Sequence, residues 1–96
     1  MKPSEALAVH RAALRQVVSR HGLLRPRVFG SVLRGTDQDG SDLDLLVDAP
    51  PGTTLFRLGG LQDELQTLLG VPVDLLTPGD LPPKFRAKVL QEAQPL

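Results

Sequence analysis

The sequence predicts an α/β (α+β) protein, a small mixed β-sheet with helices packed on it. Three observations carry that expectation. Ninety-six residues suffice for one core and not for two, so the chain reads as a single domain over residues 1–96. Hydrophobic residues make up 41% and charged residues 23%, the balance of a globular chain rather than a disordered or fibrous one. Segments of helical apolar period alternate with short apolar runs bounded by Gly and Pro, in the order helix, strand, strand, helix, strand, helix.

The first helix is expected to start at Ser4, a capping residue, with Glu5 in the first turn where the helix dipole favours an anion. Ala6, Val9, Ala13 and Val17 recur at helical spacing, and Gly22 supplies the stop. Arg25 to Phe29 reads as a short strand, followed at once by Gly30-Ser31 and one helical turn, Val32 to Arg34, closed by Gly35. Thr36 to Ser41 is turn-like. Leu43, Leu45, Leu46 and Val47 form the clearest apolar strand, ended by Pro50-Pro51-Gly52. Thr53 or Thr54 caps a second long helix with Leu58, Leu61, Leu65, Leu68 and Leu69 at spacings of three and four. Gly59-Gly60 interrupts it, which implies a kink or a close helix approach. Val71 to Leu76 is the third strand, and Pro82-Pro83 opens a final helix whose Phe85, Val89 and Leu90 suggest a partner surface.

Composition removes several function classes. The absence of cysteine excludes disulfides, thiolate zinc sites and cysteine nucleophiles. Eleven basic residues balance eleven acidic ones, which argues against a chain that coats nucleic acid or an anionic membrane. No apolar run nears the roughly 18 residues of a membrane span, and the N-terminus lacks a signal-peptide core, so the expected location is cytoplasmic.

The neutral total hides a segregation. Residues 1–36 hold seven bases against Glu5, whereas residues 37–48 hold five aspartates and no base. Asp42 and Asp44 stand at i and i+2 at the start of the apolar strand, so both carboxylates project to one side while Leu43 and Leu45 point into the core. Carboxylates held together repel unless a proton or cation lies between them, and a hard divalent ion such as magnesium resolves the conflict. Asp74, between Val73 and Leu75 in the third strand, brings a third carboxylate to the same edge if the strands are neighbours.

Gly30-Ser31 falls at a strand-to-helix transition, where glycine allows a tight turn and backbone N–H groups can bind phosphate oxygens. Ser31 adds a hydroxyl and Arg34 a guanidinium for the same anion. A phosphate cradle beside a carboxylate metal site suits nucleotidyl transfer. Each feature alone has a plainer reading: a solvated acidic loop, a capped turn, a surface arginine. Their joint spacing favours the site. An EF-hand is disfavoured because its obligatory glycine would fall on Asp42. Asp37, Asp39 and Asp48 read as solvated, and His10 and His21 as remote from the motif. Arg11, Arg15, Arg20, Arg25 and Arg27 read as a solvated face or a surface for an acidic partner or its RNA. Phe29, Phe56 and Phe85 read as core, leaving no evident platform for stacking bases.

Gly30-Ser31, ten residues, then Asp42-x-Asp44 resembles the signature of the nucleotidyltransferase superfamily that includes DNA polymerase beta, and the fold expected is its palm. Arg34-Gly35, Ser41 and the segment Gly70 to Leu76 bearing Asp74 fit the same pattern, which covers residues 28–77. The small size resembles the minimal nucleotidyltransferases paired with HEPN-domain toxins. The resemblance implies that Asp42, Asp44 and Asp74 are catalytic and hold two Mg2+ ions. Gly30, Ser31 and Arg34 would bind the triphosphate of ATP. It further implies AMP transfer to a tyrosine of a HEPN-domain toxin, with release of pyrophosphate, in an antitoxin with no direct nucleic-acid substrate. This chain contains no tyrosine, so such a reaction cannot be on itself. Two other readings stay open: an antitoxin acting by occlusion alone, and a catalytic subunit of a small-molecule nucleotidyltransferase whose substrate domain is a separate chain.

Overall fold

In the computed structural model, which describes residues 1–96, helix α1 (Pro3–Arg20) leads into β1 (Leu24–Phe29) and the single-turn α2 (Ser31–Arg34). Then follow β2 (Leu43–Asp48), α3 (Leu55–Leu69), β3 (Val73–Leu76), a 3-10 turn at Pro78–Asp80, α4 (Pro83–Glu92) and β4 (Gln94–Pro95). The four strands form one mixed sheet in the order β3-β2-β1-β4. β1 runs antiparallel to β2 and β4, and β2 runs parallel to β3 with α3 as the crossover such a pair needs.

Strand alternation divides the apolar run of β2 between two faces. Leu43, Leu45 and Val47 join Leu14, Val17 and Val18 of α1 and Leu61, Leu65 and Leu69 of α3 in the main core. Leu46 points to the opposite face, where it is buried with Leu81 and Ala93 and fringed by Phe29, Leu76 and Val89. A strand covered on both sides reads as nearly continuous hydrophobic sequence, which β2 does.

Several sequence expectations are corrected here. α1 begins at Pro3 with Lys2 as its N-cap, and Glu5 accepts a hydrogen bond from the Lys2 N–H at 2.8 Å. Ser4 is inside the helix. Its N–H donates to Asp37 Oδ2 at 2.8 Å, so Asp37 is buried rather than solvated. Asp48 is not solvated either: it accepts from Arg27 Nη1 and Nη2, each at 3.2 Å, and from Arg25. That cluster pins a β-bulge between Leu24 and Arg27, where Arg25 takes φ 50°. Phe56 is 92% and Phe85 52% exposed, so only the half-buried Phe29 packs in a core as expected.

The third strand pairs from Val73, two residues later than expected, although the Pro72 carbonyl still accepts from Leu43 N–H at 2.8 Å. Thr54 caps α3 by accepting from Arg57 N–H at 3.1 Å. α3 runs unbroken through Gly59-Gly60, where Gly60 faces His21 at a distance that leaves room for a Cβ only at van der Waals contact. The non-helical residue lies instead in α1, at His10.

Candidate functional site

The sheet register builds the site. Asp44 of β2 stands opposite Asp74 of the parallel β3 and, on its other side, opposite Phe29 of the antiparallel β1. Partners directly opposite in a sheet share a face, so Asp44, Asp74 and Phe29 lie on the face that carries Leu46. Asp42 precedes the strand and is exposed, as is Asp74, while Asp44 is half-buried.

Burial pushes the Asp44 carboxyl above its ordinary value of 3.8, and the charges of Asp74 and then Asp42 push it further, against the pull of the Arg34 guanidinium. Asp74, Asp42 and Arg34, singled out with Asp44 from the sequence, therefore all act on the Asp44 carboxyl.

Gly30 closes the edge from the β1 side. Its φ of 74° and ψ of −146° belong to a region that side chains rarely enter. A Cβ there would stand 3.0 Å from Asp44 Cγ and 3.2 Å from Asp44 Cβ, in collision with the carboxylate itself. Glycine is thus required twice over, by conformation and by space. Ser31 starts α2 immediately afterwards, and the first amides of a helix have no intrahelical acceptor. Arg34 N–H returns to Gly30 O at 3.1 Å, and Thr36 N–H to Ser31 O at 2.9 Å, which fixes the turn against the edge.

The donor set fits a hard divalent cation. Asp42, Asp44 and Asp74 would offer it oxygen ligands, and the disfavoured anion at Asp44 is what a cation there would relieve. As they stand the three are not gathered into a ready-made cage of three ligands. His10 and His21 are elsewhere; His21 Nε2 lies 2.9 Å from Glu64 Oε1.

A cleft of about 350 Å³ opens beside Gly30 on the same face, between α2 and α4. Gly30, Leu33 and Arg34 form one wall, and Leu81, Phe85 and Val89 the other. Arg86 holds the second wall by donating to the carbonyls of Leu81 at 2.9 Å and Gly79 at 3.3 Å. Sequence reading did not find this cleft. The spacing of Phe85 and Val89 marks an apolar face on α4, but which residues face it depends on how α4 returns across the sheet.

No helix is long and apolar enough to cross a membrane. The description "Nucleotidyltransferase domain" belongs to the family whose profile matches residues 11–96. The protein adenylyltransferase MntA of Thermococcus cleftensis is 36% identical over 86 residues, 90% of this chain and 84% of that protein. A Methanocaldococcus jannaschii protein named as a candidate protein adenylyltransferase is 36% identical over 77 residues, 80% of this chain and 83% of its own. The solved structure of a candidate minimal nucleotidyltransferase superposes with a TM-score of 0.86 at 46% identity, covering 97% of this chain and 95% of that one. A toxin–antitoxin crystal structure with AMP-PNP has the same fold, with a TM-score of 0.71 at 22% identity over 83% of this chain and 66% of that one. With a carboxylate edge, a glycine turn packed on it and a family match over nearly its whole length, the chain belongs to the nucleotidyltransferase domain family and is a nucleotidyltransferase.

Proposed function

We propose that this chain transfers AMP from ATP to a tyrosine hydroxyl of a HEPN-domain toxin in the cytoplasm and acts as that toxin's antitoxin. The observation that carries the reading is the parallel register of Asp44 with Asp74, beside a glycine turn that touches Asp44. The protein acceptor is supported by relatives named protein adenylyltransferases, and the toxin by the toxin–antitoxin fold neighbour with AMP-PNP. The HEPN class and the tyrosine rest on the resemblance of the motif spacing and chain size to minimal nucleotidyltransferases.

In this reading Asp42, Asp44 and Asp74 hold two Mg2+ ions. Magnesium, when bound, supplies charge neutralisation for the triphosphate. Asp74 takes the proton of the acceptor hydroxyl. The acceptor oxygen forms a bond to the α-phosphorus while the bond from that phosphorus to the bridging oxygen breaks, and both electrons leave with pyrophosphate. The amides at Gly30-Ser31, the Ser31 hydroxyl and Arg34 hold the β- and γ-phosphates, where negative charge grows as the bond breaks.

Position-specific labelling tests the reaction type. With ATP, Mg2+ and the cognate toxin, label at the α-phosphate is expected to stay on the toxin and label at the γ-phosphate to appear in pyrophosphate. Retention of the γ-label on the toxin would mean phosphoryl transfer and refute the reading.

A further inference from the structure

We propose that the cleft between α2 and α4 receives the base of the nucleotide substrate; the inference rests on the nucleotidyl-transfer reading above. The cleft is continuous with the carboxylate edge, because Gly30 lines it and also packs on Asp44. Its volume of about 350 Å³ falls within the roughly 300–1,000 Å³ of small-molecule sites.

Three parts of the reaction compete for that space, and chemistry separates them. Gly30 and Arg34, which hold phosphates in that reading, line only part of the cleft. Among Leu33, Leu76, Leu81 and Phe85 phosphates do not belong, since burying charge against apolar walls is costly, and the Glu92 carboxylate in the same lining would repel them. The acceptor does not belong there either. Attacking and leaving oxygens lie roughly in line, and Gly30 and Arg34 put this cleft on the leaving-group side. The remaining part is the base, a flat and largely apolar group.

Phe85 is the natural contact. It is 52% exposed, a large aromatic surface left open at the cleft wall, and Lys84 Nζ sits 5.7 Å from its ring centroid. An aromatic wall takes any base by its π-face.

The test compares ATP with inorganic tripolyphosphate, both with Mg2+, by calorimetry on wild type, Phe85→Ala and Leu33→Trp, with folding checked by circular dichroism. Phe85→Ala removes the aromatic wall from an exposed position, and Leu33→Trp fills the cleft from the opposite side. Both are expected to weaken ATP binding about tenfold or more while tripolyphosphate stays within about twofold. Unchanged ATP affinity in both variants would overturn the proposal, as would an equal loss for both ligands. ATP affinity kept while transfer to the toxin is lost would place the acceptor in the cleft and overturn it too. If wild-type protein binds neither ligand, the nucleotidyl-transfer reading itself fails, an outcome distinct from any difference between variants.

Discussion

Gly30 and Asp44 are packed so closely that no side chain fits between them: a Cβ on residue 30 would lie 3.0 Å from the carboxylate carbon of Asp44. Gly30→Ala therefore displaces Asp44 in addition to straining the backbone, at about 1–3 kcal/mol for the strain alone. The expected outcome is a more than tenfold fall in AMP transfer. Gly52→Ala is the control, with φ 88° and open space around its Cβ, and it should lose stability while keeping activity. Assaying both variants beside their thermal melts checks the distinction.

Asp44 is disfavoured as an anion by burial, Asp74 and Asp42. Removing its charge should thus stabilise the metal-free protein while abolishing transfer. Asp44→Asn is expected to raise Tm. A lower melting temperature measured in chelator would count against the electrostatic account of the edge.

Acid should act through other carboxylates in the opposite sense. Hydrogen bonds from Arg27, then Arg25, hold the Asp48 carboxyl below 3.8, and the backbone N–H of Ser4 does the same for Asp37. A carboxyl depressed in the folded state contributes stability that is present in full above the unfolded pKa and lost as pH falls through the folded value. Asp48→Asn is expected to cost about 1 kcal/mol at neutral pH, with the difference from wild type shrinking as pH falls through the folded value of Asp48. Melting curves across pH measure it. Asp44 opposes this trend, since its raised pKa makes the folded state more favourable as pH falls.

The outer edge of β3 is guarded by α3. Gln66 Oε1 accepts from Val73 N–H at 3.0 Å and Gln62 Oε1 from Leu75 N–H at 3.3 Å, groups that an added strand would otherwise pair with. Gln62→Ala with Gln66→Ala is expected to increase self-association with little change in the monomer's circular dichroism. Sedimentation at rising concentration checks it.

What was legible in the sequence was local. Asp42-x-Asp44 beside an apolar run, Gly30-Ser31 between a strand and a turn, and Asp74 within a strand all depend on neighbours two or three residues away. Asp37 was not legible, because the amide that buries it belongs to Ser4, 33 residues earlier. Asp48 lay in the same acid run, and only the antiparallel return of β1 brings Arg25 and Arg27 to it. β4 has two residues, one of them Pro95, too few to show a period; it is held by β1 pairing and by Leu96 N–H to Pro26 O at 3.0 Å. Phe56 and Phe85 lie outside the core for a related reason. Hydrophobicity predicts burial only where another element arrives to cover the residue, and none arrives at Phe56.

The most direct test of the account is the intact mass of the cognate toxin after incubation with this protein, ATP and Mg2+, beside the Asp42→Asn/Asp44→Asn double variant. An AMP-sized gain, mapped to a tyrosine, is expected, and the double variant cannot produce it. No mass gain, with the toxin still silenced in a stable complex, would contradict it and leave an antitoxin that works by occlusion.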